Sequence, residues 1–64
     1  MTIRDAGRDV VTEFDGMQDY RIGFAGNDET ELTATNMNEL ENLWESLAPE
    51  FGCEVDEVDY VERV

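Results

Sequence analysis

The 64-residue chain carries seventeen Asp and Glu against four Lys and Arg and has no histidine, giving a formal charge of −13 at neutral pH. One cysteine, Cys53, leaves no internal disulfide to form, and with no histidine beside it neither a histidine-containing nor a cysteine-cluster zinc site is available. A chain of about 60 residues buries only about 60% of its unfolded surface, so one domain is the ceiling and its core is small.

Residues 1–8 show little periodicity and contain Gly7; they read as a mobile arm or the lead-in to a strand, ahead of a single domain over residues 9–64. Across residues 9–15, Val10, Thr12 and Phe14 alternate onto one face, as in a strand. Residues 15–18 read as a turn in which Gly16 takes a positive φ. Tyr20, Ile22 and Phe24 then share one face against Arg21, Gly23 and Ala25, the clearest period-two pattern in the chain. Residues 26–29 form the next turn, and residues 30–34 a short third strand with Leu32 inward.

The period then changes. Asn36 stands three residues before Glu39, a capping arrangement, with Thr35 as the alternative cap. Met37, Leu40, Leu43, Trp44, Leu47 and Phe51 recur at helical spacings, while Glu39, Glu41, Asn42, Glu45 and Ser46 fall on the other side. This predicts an amphipathic helix of about three turns. Pro49 ends the regular helix near Ala48 because its ring would meet the Glu45 carbonyl, and Gly52 is the natural exit. In residues 53–64, Cys53 and Val55 alternate out of phase with Val58, Tyr60 and Val64. A strand there needs a bulge or kink near Asp56 and Glu57. A valine every three residues from Val55 also fits a helix, but valine and tyrosine enrichment favours the strand.

The sum is an α+β domain of order β-β-β-α-β, an antiparallel-rich sheet with one amphipathic helix packed on one face. The helix stripe meets Phe14, Tyr20, Ile22, Phe24 and Leu32. The opposite sheet face carries Val11, Arg21, Ala25 and Val61; together with Trp44 these are the candidate interface residues. A strand edge is expected to be exposed as well.

All four cations are arginines (Arg4, Arg8, Arg21 and Arg63), with no lysine anywhere. Acid excess spread along the chain, combined with loss of lysine, resembles the composition of haloarchaeal proteins, which work in molar KCl. The resemblance is compositional and implies no functional residue. Physically, such a small body repels itself strongly in dilute solution, whereas in about 1 M salt the Debye length is roughly 3 Å and most of that repulsion is screened.

Catalytic chemistry finds little purchase. Ser46 and Cys53 have no histidine to act as base, and a helix-exit position does not favour a Cys53 thiolate. Asp56, Glu57 and Asp59, like Asp28, Glu29 and Glu31, could meet a hard cation. Neither group matches a twelve-residue calcium loop, and triplets of this kind arise by chance in so acidic a chain. The five glycines form no phosphate loop. Arg4, Arg8 and Arg21 are expected to pair with nearby acids rather than with nucleic acid, whose phosphates the net field repels.

The reading is a non-catalytic protein-interaction module, a homodimer or the partner of a heterologous protein, adapted to high salt. No cofactor or metal is implied, and direct nucleic-acid binding is disfavoured. With no uninterrupted apolar stretch beyond two residues there is no membrane span, and a free cysteine without an export signal points to the cytoplasm. Two other classes stay open. One is an acidic DNA mimic or regulator of a nucleic-acid-binding protein, and the other a small metal-dependent enzyme or enzyme subunit.

Overall fold

The computed structural model describes residues 1–11 and 16–64. The strongest alternation in the sequence builds the central strand, β1 (Gln18–Phe24), in which Tyr20, Ile22 and Phe24 are all buried on one face. Its hairpin partner is β2 (Asp28–Ala34), registered with Tyr20 opposite Leu32 and Arg21 opposite Glu31. The third strand, β3 (Val58–Arg63), lies on the other side of β1, so the order is β2-β1-β3. Both neighbours run antiparallel to β1. They therefore run parallel to each other, and the chain passes between them through the main helix, α2 (Met37–Leu47). The molecule is a small α+β domain: a three-stranded antiparallel sheet with one main helix.

The helix starts where its caps dictate. The Asn36 side chain accepts the Glu39 N–H at 2.8 Å, and the Glu39 carboxylate accepts the Thr35 N–H at 2.7 Å, so two orphan donors are satisfied reciprocally. Met37, Leu40, Trp44 and Ala48 are buried. Leu43 is not, being more than a third exposed. Pro49 converts the end of the helix to a 3₁₀ turn, Ala48–Phe51, and Gly52 leaves it in the left-handed region at φ 74°.

Residues 1–8, expected as an arm or strand lead-in, hold a helical turn, α1 (Ile3–Ala6). The Thr2 hydroxyl accepts the Asp5 N–H and Ile3 is buried in the core. The strand expected over residues 9–15 is not extended at its start. Val10 and Val11 both direct their N–H groups to the Gly7 carbonyl and pack, half-buried, against the core. The rest of that segment, with Thr12 and Phe14, lies outside the described residues.

The last strand is shorter than expected, and its irregularity lies elsewhere. Residues 53–57 are turn and coil, closed by Glu57 N–H to the Glu54 carbonyl and Glu54 N–H to the Glu57 carboxylate. The register shift falls between Gly23 and Phe24 of β1, where Val58 sits opposite Phe24 and Tyr60 opposite Gly23, leaving Asp59 as the extra residue. The consequence is that Val58 and Val61, three apart, both point into the core while Tyr60 points out. Val61 therefore belongs to the core face, a correction to its expected position on the opposite one. Within the valine repeat that also fitted a helix, the Val58–Val61 step is the trace of this bulge.

Among the described residues one buried polar group lacks a partner. The Tyr20 hydroxyl is buried and, among the described residues, has no hydrogen-bond partner. An unsatisfied buried hydroxyl costs about 1–3 kcal/mol. Tyr20→Phe is therefore expected to gain about 1 kcal/mol in denaturant unfolding followed in molar KCl. A loss of stability would mean that the hydroxyl is satisfied in solution.

Candidate interaction surfaces

The outer face of the sheet is built from the residues that alternate away from the core. Register aligns them in cross-strand rows. Thr33 donates its hydroxyl to the Asp19 carboxylate at 2.6 Å. Arg21 lies between Glu31 and Glu62, 3.6 Å from each. Tyr60 lies over Gly23 and donates its hydroxyl to Glu29 at 2.9 Å. Gly23 has to be glycine for this last row, since a Cβ there would run into the Tyr60 ring as placed. The face is thus a polar lattice with four carboxylates around one guanidinium.

A second surface forms at the end of α2. Phe24, Trp44 and Phe51 cluster, with Phe24 centred 5.0 Å from each of the other two rings. Trp44 is buried, and its indole N–H donates to the Val55 carbonyl at 2.8 Å, which holds the loop after the 3₁₀ turn against the helix. Phe51, the third ring, is 47% exposed, and Leu43 and Val55 are partly exposed as well.

The candidate interface residues do not converge. Val11 packs half-buried on the core, Arg21 is on the outer face, Ala25 sits exposed in the β1–β2 turn at φ 51°, and Trp44 and Val61 are interior. The helical spacing places Phe51 in the core stripe, but the structure leaves it at the margin. Its position after Pro49, where the helix narrows, was the signal that it would reach only the margin. The cationic residues are distributed as well: Arg4 bonds Glu41 at 3.1 Å and Asn38 at 2.6 Å, and Arg8 lies 3.7 Å from Asp5.

The acidic triplets are engaged locally. Asp59 accepts the Gly26 N–H at 2.8 Å, Glu57 caps Glu54, and Glu29 holds Tyr60. Among the described residues no group of three or more His, Cys, Asp or Glu is placed to hold a metal ion. A cleft of about 80 Å³ lined by Thr2, Ile3, Glu41, Trp44, Glu45 and Val55 has room for a few waters, well short of the roughly 300 Å³ at which ligand pockets begin. Cys53 is half-buried, its thiol 3.6 Å from the Ala48 carbonyl. Desolvation, reinforced by Glu57, Asp28 and Glu54, pushes its pKa up and keeps it a thiol.

No helix among the described residues is long and apolar enough to cross a membrane. Compared with known proteins, the chain matches no family model, no curated protein and no solved structure.

The Tyr60–Glu29 bond carries a pH signature. The hydrogen bond to Glu29 is the main cause that raises the Tyr60 pKa above the ordinary phenol value, with desolvation and the negative charge of Glu29 and Glu62 adding to it and Arg21 opposing. Because the folded-state value is the higher one, the bond holds below the ordinary phenol pKa and is lost as pH rises through the raised value. Glu29→Gln is expected to bring the phenolate transition, followed by near-ultraviolet absorbance, back toward the ordinary range. An unchanged transition would show that the bond does not persist in solution.

Proposed function

We propose that the chain is a non-catalytic protein-interaction module, homodimeric and adapted to concentrated salt. Phe51 carries this reading. It stacks on a buried tryptophan and keeps nearly half its surface open, on a chain with little apolar surface to spare. An aromatic side chain on a rigid platform is the usual form of an interface anchor. A second copy covering it would enlarge the core that so short a chain lacks.

The fully buried Trp44 acts as the platform and Phe51 as the contact. The outer sheet face is less suited to self-association, since its rows of carboxylates would meet their own kind. The adaptation to salt is supported by the placement of charge. Among the described residues no charged side chain is buried, so their charge works at the surface, where molar salt screens it.

Light scattering after size exclusion in molar KCl tests this. The native chain is expected at twice the chain mass. Phe51→Ser is expected at the single-chain mass with its helical circular dichroism retained, and both are expected to unfold on dialysis into dilute buffer. A native chain that stays monomeric at every concentration sinks the dimer, and a fold unchanged in dilute buffer sinks the salt adaptation.

A further inference from the structure

The two edges of the sheet are finished differently. On the β3 side the chain covers the start of its own edge: Met1 and Val58 exchange backbone bonds of 3.1 and 3.0 Å, and α1 packs beside the strand. On the β2 side no segment among the described residues pairs with the edge.

Pairing parity identifies the groups left open. The Asp19 carbonyl accepts the Val64 N–H and the Ala25 N–H donates to the Glu57 carbonyl, so the odd-numbered residues of β1 direct their backbone toward β3 and the even-numbered ones toward β2. The β2 residues opposite those even positions are Asp28, Thr30, Leu32 and Ala34. The N–H and C=O groups of Glu29, Glu31 and Thr33 therefore point out of the sheet. Their side chains stand on the outer face. Thr30 and Leu32, between them, face the core side and are only half-buried.

We infer that the open edge of β2 accepts an extended segment of a heterologous protein, with Lys or Arg at two positions two residues apart and an aliphatic residue between them. This rests on the interaction-module reading and adds to the Phe51 contact a second, heterologous partner on a separate surface. A strand added here sets its residues directly beside Glu29 and Glu31, with Cβ atoms about 5 Å apart, where opposite charge is favoured and like charge is penalised. The intervening residue turns to the other face, beside Leu32, and closes the side of the core that β2 leaves half-open. A second copy of this chain is the poorer occupant, because antiparallel pairing centred on Glu31 opposes that residue to its own counterpart. The backbone bonds are short-ranged and survive salt. The ion pairs, at contact distance, are comparable to the roughly 3 Å screening length of molar salt and still choose the partner.

The test is a titration of the isotope-labelled chain in molar KCl with acetyl-Thr-Lys-Val-Arg-Val-Thr-amide, and with the same peptide carrying Glu in place of Lys and Arg. The basic peptide is expected to move the amide resonances of Glu29, Glu31 and Thr33 and to slow their hydrogen exchange about tenfold; the acidic one is expected to do neither. Glu31→Pro removes an outward N–H where an edge strand tolerates proline and is expected to abolish the effect with α2 and β3 resonances unchanged. Glu31→Gln keeps the backbone and is expected to weaken binding several-fold. Shifts confined to Arg21, Tyr60 and Glu62 without slowed exchange would mean adsorption to the face and overturn the proposal. So would no response in β2. Response at Leu43 and Phe51 instead would overturn the edge assignment while leaving the interaction-module reading, whose dimer the mass measurement tests separately.

Discussion

Trp44 is the residue on which the other parts of the fold depend. Its ring lies against Phe24 of the central strand and under Phe51 of the 3₁₀ turn, and its N–H holds the Val55 carbonyl. One side chain thus joins the helix, the sheet and the loop that leads into the last strand. In a chain this short no second core backs it up. Removing a buried tryptophan of this kind costs about 3–5 kcal/mol, a large share of what a small domain has. The same arrangement explains why Phe51 is half-open. It is carried to the margin by the proline turn, and the indole beneath it fixes its orientation.

The bulge at Asp59 is the second constraint, because it decides which face each residue of β3 serves. Without the extra residue, Val58 and Tyr60 would share a face and Val61 would turn out. With it, Val58 and Val61 close the core, and Tyr60 comes to lie over Gly23, where only a glycine leaves room. Asp59 also accepts the Gly26 N–H, tying the bulge to the β1–β2 turn. The outer lattice and the core are therefore set by the same irregularity.

What could be read from the sequence follows from how local each signal is. Tyr20, Ile22 and Phe24 alternate because one strand has two faces, and that strand is present. Asn36 with Glu39, and Pro49 with Gly52, act on their own neighbours, and the helix begins and ends where they place it. Ile3 was harder, since a four-residue helix has no periodicity to display. Its one signal was Thr2 three residues before Asp5, the same capping spacing as at Asn36. The position of the β3 bulge is set by a partner strand some forty residues away in sequence. The phase change in the valines announced a bulge but could not say which strand position would absorb it. The interface residues failed to converge for a related reason: assigning Val61 outward presupposed an unbroken strand, and assigning Trp44 to a surface presupposed a partly covered ring.

The acidity of the chain has a structural side as well as a solvent one. Glu39, Glu57 and Asp59 accept backbone N–H groups, Glu29 and Asp19 accept hydroxyls, and Glu31, Glu41 and Glu62 face arginines. The hydrogen bonds among these are contact-range interactions with a carboxylate, stronger than their neutral equivalents, whereas the exposed Arg21 pairs at 3.6 Å add little. The repulsion among seventeen such groups is long-ranged and falls away as salt rises. Concentrated salt therefore removes the cost of the carboxylates and leaves most of their benefit. A lysine at these positions could accept nothing, because an ammonium has donors only. A surface that satisfies its turns, caps and tyrosine with acceptors accumulates negative charge as it does so.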